Sequence, residues 1–62
     1  MKYLELKSKS KLTDVELGDA ISEIITEMDN GYTRNQAINH IAICYDVSSY
    51  YLAEELYKTE IN

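Results

Sequence analysis

The sequence predicts an all-α fold, a three-helix bundle that follows an extended N-terminal arm. Three helix starts occur in succession, each a hydroxyl residue placed just ahead of apolar residues at helical spacing. The chain contains no proline, and no repeat, low-complexity tract or linker interrupts residues 12–62. We therefore expect three short helices that share one core.

Residues 1–11 form the predicted arm. The first of them alternate only loosely between apolar and polar side chains, so 2–6 fit a short strand or irregular structure. Lysine alternates with serine over 7–11, and serine on an inward side would bury little apolar surface. We expect a solvated basic arm at 1–11 and one three-helix domain at 12–62.

The first helix begins after Thr13, which forms a capping box with Glu16, while Leu12 and Leu17 occupy the positions of a hydrophobic staple. Gly31 tolerates the left-handed conformation that ends many helices. The apolar residues of this helix follow the spacing of one face and are Leu17, Ala20, Ile21, Ile24, Ile25 and Met28.

The second helix begins after Thr33, which pairs with Gln36 in a similar box, and it runs through Tyr45. Its apolar face consists of Ala37, Ile38, Ile41, Ala42 and Tyr45. We expect Cys44, beside this face, to behave as a small buried hydrophobe. His40, on the more polar flank, is expected to be a surface or packing residue.

The third helix begins after Ser48, with Val47 and Leu52 in staple positions. It buries Leu52 and Leu56 and is expected to end near Lys58. Since the chain has no Phe and no Trp, Tyr must supply the aromatic bulk of the core.

The formal net charge of −5 is unevenly distributed along the chain. In residues 1–11, four lysines against one glutamate give +3, whereas in residues 12–62 two cations against ten acids give −8. An acidic body argues against a domain that holds nucleic acid on a generally basic surface.

Several function classes are not expected. A single cysteine cannot close an intrachain disulfide, which favours a reducing, cytoplasmic setting. No apolar stretch approaches the length of a membrane span, so no membrane association is expected. Nothing resembles a phosphate loop, a nucleophile–base pair or a set of metal ligands, so we expect no catalytic residues, no cofactor and no metal. The composition suits a phage or mobile-element gene.

The second and third helices are joined by a very short connection. Only Asp46 and Val47 separate the second helix from the cap of the third, which forces a steep crossing. The run IAICYDVSSYYLAEEL, residues 41–56, resembles the helix-turn-helix family of DNA-binding domains. Ala42 takes the position of close helix approach and Asp46 the left-handed turn position. The resemblance covers residues 31–57 and makes the last two helices helix-turn-helix-like.

This resemblance implies a DNA-binding transcriptional regulator. The groove-facing positions would be Ser48, Ser49, Tyr50, Ala53 and Glu54. They include no Arg, Lys, Asn or Gln, the residues that mainly read bases and contact phosphates. The candidate nucleic-acid contacts are therefore the two serines and the scattered cations, namely Ser48, Ser49, Lys7, Lys9, Lys11 and Arg34. A ribbon-helix-helix dimer, in which the arm lysines read the groove, is a second resemblance, but the inward serines and the third helix speak against it.

The residues favour a different function, a small non-catalytic regulatory or inhibitory protein that binds a protein partner. Acids recur at helical spacing on the first helix and suit a basic partner. On the third helix we expect some tyrosines in the core and the others exposed beside Ala53, which is typical of interfaces. The predicted partner-binding residues are Asp19, Glu23, Glu27, Tyr50, Ala53, Glu54 and Tyr57. A core this small also favours a homodimer.

Overall fold

The computed structural model describes residues 11–61, with the backbone alone at position 61. The described residues form three α-helices and no strand: α1 is Asp14–Asp29, α2 is Arg34–Tyr45 and α3 is Ser49–Ile61. The all-α three-helix bundle is thereby confirmed. Apart from Lys11, the predicted arm lies outside the described residues, so its extended structure stays a prediction.

Side-chain caps start each helix where the sequence places them. Thr13 Oγ1 accepts the backbone N–H of Glu16 at 3.1 Å, and Glu16 Oε1 accepts that of Thr13 at 3.0 Å. Thr33 and Gln36 repeat this capping box with the same two distances. Ser48 Oγ accepts a backbone N–H two residues on, at 3.0 Å. These bonds satisfy amide groups that have no partner inside the helix.

Two left-handed residues end the first two helices. Gly31, with φ 108°, follows the C-cap of α1, and Asp46, with φ 58° and ψ 48°, is the C-cap of α2. A short polar side chain makes this conformation tolerable at a residue other than glycine. Both predicted turns are confirmed. Helix α3 continues to Ile61, beyond the end expected near Lys58, because no glycine or proline interrupts it.

The core is apolar and receives side chains from all three helices and from the segments next to them. Its buried members are Leu12, Ala20, Ile21, Ile24, Ala37, Ile38, Ile41, Ala42, Val47, Leu52 and Leu56. Half-buried Tyr45 and Tyr51 pack against it, as the sequence predicts for a chain without Phe or Trp. The Tyr51 hydroxyl also accepts the backbone N–H of Leu12 at 3.1 Å, which ties the start of the described chain to α3.

Two apolar predictions are wrong. Cys44 is exposed rather than buried, and Ile25 is 40% exposed. Each lies about 90° around its helix from the centre of the buried stripe, where the neighbouring helices no longer cover it. The edge of a stripe is therefore where helical spacing alone misassigns burial.

Leu52→Ala tests whether α3 is held to the bundle by its buried leucines. Leu52 is fully buried, so the substitution is expected to cost about 2–5 kcal/mol of the free energy of unfolding. That is a large part of the roughly 3–9 kcal/mol expected for a domain of this size. Urea denaturation followed by circular dichroism measures the change. Ile43→Ala, at a side chain 79% exposed, is the control and should change the stability by less than about 0.5 kcal/mol. A loss below about 1 kcal/mol for Leu52→Ala would contradict the packing.

Candidate functional site

The outward side of α3 carries the candidate site, which we call the tyrosine face: Tyr50, Ala53, Glu54 and Tyr57. Tyr50 is 86% exposed and Tyr57 is 62% exposed, while Ala53 is half-buried and Glu54 exposed. Glu54 lies about 160° around the helix from Leu52 and from Leu56, the two residues that α3 buries. The exposure of the tyrosines thus follows from which side of α3 faces the core.

The tyrosine face is a straight stripe. Tyr50 and Tyr57 are seven residues apart, which places them within about 20° of each other and about 10.5 Å apart along the helix axis. Glu54 lies between them along the axis, at i+4 from the first tyrosine and i−3 from the second, spacings at which helical side chains are neighbours. Two phenol rings and one carboxylate therefore share a single exposed surface.

The carboxylate of Glu54 makes no hydrogen bond or ion pair with the other side chains of residues 11–61. Lys58, at i+4 from Glu54, instead lies with its Nζ 3.4 Å from Oε2 of Glu55 on the flank of the helix. Within the tyrosine face itself, Glu54 is the one charged side chain.

A second ion pair joins the two ends of the predicted helix-turn-helix unit. Arg34 Nη2, at the start of α2, lies 2.7 Å from Glu60 Oε2, near the end of α3. The hydrogen bond to Glu60, with the attraction of its charge, raises the pKa of the Arg34 guanidinium. Arg34 was predicted as a nucleic-acid contact, but in the structure its charge faces a carboxylate of its own chain.

Part of the predicted acidic face of α1 is hydrogen-bonded to α2. Glu23 Oε2 accepts the hydroxyl of Tyr45 at 2.8 Å, and Glu27 Oε2 is hydrogen-bonded to His40 Nδ1 at 2.7 Å. Glu27 is half-buried, and its second oxygen, Oε1, is buried without a hydrogen-bond partner. Two of the three predicted acids therefore bridge α1 to α2, and Glu23 remains exposed, as Asp19 does.

The remaining predicted nucleic-acid contacts are two serines at the start of α3 and three lysines of the predicted arm. Ser48 is exposed but its hydroxyl caps α3, and Ser49 is half-buried in the first turn. Lys11 is exposed, and Lys7 and Lys9 lie outside the described residues. Of these five residues, Lys11 is the one cation within the described part of the chain.

The surface formed by residues 11–61 contains no pocket and no group of three or more metal-ligating side chains. Within the same residues, no helix combines the length and the apolar character that crossing a bilayer requires. None of the protein-family models, curated proteins and solved structures that were compared with the chain matches it.

Sequence reasoning missed the three polar links between helices, which join Tyr45 to Glu23, His40 to Glu27 and Arg34 to Glu60. Each joins residues 13 to 26 positions apart. Helical spacing relates residues within one helix, so it carries no signal for such pairs.

Alkaline titration tests the link between Tyr45 and Glu23. The hydrogen bond to Glu23, with desolvation and the nearby negative charges as smaller causes, raises the pKa of Tyr45 to about 12. Because the folded-state pKa lies above the usual value of about 10, this bond stabilises the fold below pH 10 and is lost as the pH rises through 12. Tyr45→Phe should remove a tyrosinate absorbance step near pH 12.

Glu23→Gln is the matched variant, because it removes the charge and keeps a hydrogen-bond acceptor. Glu23→Gln should lower the pKa of Tyr45 toward the usual value of about 10, so the absorbance step should occur at a lower pH. If the absorbance step near pH 12 persists in Tyr45→Phe, the hydrogen bond between Tyr45 and Glu23 is contradicted.

Proposed function

We propose that the protein is a small non-catalytic regulatory or inhibitory protein that acts by binding a protein partner through the tyrosine face of α3. The observation that carries the proposal is the exposure of Tyr50 and Tyr57, at 86% and 62%, on the side of α3 opposite its buried leucines. Large aromatic side chains are enriched at protein–protein interfaces and frequently dominate their binding energy. A half-buried Ala53 between them leaves room for a partner side chain.

The charges favour a protein over nucleic acid. A duplex bound along α3 would bring its phosphates toward Glu54, which is acidic and exposed. Arg34 and Lys58 are already paired with Glu60 and Glu55, so their charges are partly neutralised within the chain. Tight duplex binding generally needs several cations that are directed at the backbone.

The acids of α1 have a secondary part in this proposal. Direct contact through Glu23 or Glu27 would compete with their bonds to Tyr45 and His40. Their charges, together with exposed Asp19, still contribute to the negative potential that would attract a basic partner and speed the encounter. We therefore place the main contact on α3.

A DNA-binding helix-turn-helix domain is the alternative. The left-handed Asp46, with φ 58°, and the three residues that separate α2 from α3 favour it. In that case the phosphate contacts would come from Lys7, Lys9 and Lys11, as basic arms supply them beside a reading helix.

Removal of the two phenol rings tests the proposed function. Immobilised wild-type protein is expected to retain a specific protein from a lysate of the cells that encode it, and Tyr50→Ala combined with Tyr57→Ala is expected to abolish this retention. Mass spectrometry of the retained proteins gives the measurement. Tyr32→Ala is the control, because Tyr32 is 52% exposed but lies on the turn before α2. Circular dichroism checks that every variant is folded.

Two results would count against the proposed function. Retention of the same protein by the double variant would contradict a contact through the tyrosine face. Micromolar binding to duplex DNA that weakens steeply with salt, and that is lost when Lys7, Lys9 and Lys11 become Ala, would favour the alternative.

A further inference from the structure

We infer that the tyrosine face takes an arginine-bearing segment of its protein partner, with guanidinium groups stacked on Tyr50 and Tyr57 and paired with Glu54. The inference rests on the proposed function and specifies the chemistry of the partner. It is carried by the combination of two exposed rings and one carboxylate on a single stripe of α3.

The chemistry of the face suits arginine better than lysine. The face of a phenol ring attracts a cation, and a planar guanidinium can stack on the ring while its N–H groups donate to a carboxylate. A carboxylate can accept two parallel hydrogen bonds from the guanidinium fork. Lysine offers a point charge without this plane. Glu54 lies next to both rings along the helix, so one arginine can use a ring and the carboxylate together.

The charges around the tyrosine face favour a basic partner over a second copy of the chain. Residues 12–62 carry two cations against ten acids, so a basic partner is electrostatically complementary. A second copy of the chain seated on this face would instead bring two negative bodies together, with Glu54 facing an acidic surface. Along α3, Glu55 and Glu60 are paired with Lys58 and Arg34, whereas the carboxylate of Glu54 has no such partner among residues 11–61.

The length of the face sets the spacing of the arginines. Tyr50 and Tyr57 are about 10.5 Å apart along the helix axis. A peptide in the polyproline II conformation has three residues per turn and advances about 3.1 Å per residue, so residues three positions apart lie on one side and about 9 Å apart. Two arginines three positions apart on a polyproline II segment can therefore each reach one ring.

Peptide titration of the full-length, ¹⁵N-labelled protein tests the inference. The probes are a short Gly/Ser peptide with two arginines three positions apart and the same peptide with lysines. We expect the arginine peptide to shift the backbone resonances of residues 50, 54 and 57 and to bind at least about fivefold more tightly, the factor that corresponds to one well-placed interface contact.

Two acid-to-amide variants of equal charge complete the experiment. Glu54→Gln should weaken binding of the arginine peptide at least about fivefold, because it removes the paired carboxylate. Asp29→Asn, at an exposed residue that ends α1, removes the same charge elsewhere and should change the affinity less than about twofold. Both positions are exposed, so both variants are expected to fold.

Equal affinities for the two peptides, shifts centred outside the tyrosine face, or unchanged binding to Glu54→Gln would each overturn the inference. The outcome is separable from that of the proposed function. If cellular capture depends on Tyr50 and Tyr57 but the arginine peptide has no advantage, the inference fails and the proposed function stands. If capture does not depend on these tyrosines, the proposed function itself fails.

Discussion

The burial of Leu52 and Leu56 on one side of α3 is the contact on which the rest of the structure depends. Both side chains are fully buried, and they seat α3 on the surface of α1 and α2. In a domain this small each buried leucine supplies a substantial share of the total stability. The same packing fixes the rotation of α3 about its axis, so the tyrosines that do not enter the core must face outward. Fold stability and the exposure of the tyrosine face therefore have one cause.

On the surface of the described helices, some charged side chains are paired with each other and others are not. The link from Arg34 to Glu60 joins the ends of α2 and α3, and Glu27 and His40 join α1 to α2. Partly exposed pairs of this kind contribute little stability individually. Arg34 and Lys58, the two cations of the described helices, each lie beside a carboxylate of the same chain. Glu54 stays outside this network, which leaves a negative charge beside two aromatic rings.

Local features of the fold could be predicted from the sequence, whereas contacts between helices could not. Capping depends on residues three positions apart, so the capping box at Thr33 could be predicted. The left-handed turn at Asp46 could be predicted from its short polar side chain. Burial of Cys44 was predicted wrongly because it lies at the edge of a stripe. The tyrosine face was expected in outline, since the period of α3 separates Tyr50 from the leucines. The engagement of Glu27 by His40 depends on how two helices meet, which helical spacing does not encode.

Residue-resolved nitration of the tyrosines by tetranitromethane tests the central claim, that one-sided packing of α3 presents Tyr50 and Tyr57 to solvent, most directly. Fragment-ion mass spectrometry can separate Tyr50 from its neighbour Tyr51, whose hydroxyl accepts the backbone N–H of Leu12. The account predicts that Tyr50 and Tyr57 are nitrated several-fold faster than Tyr51 in the folded protein, and that the rates converge in urea. Nitration of Tyr51 as fast as that of Tyr50 in the folded protein would contradict it.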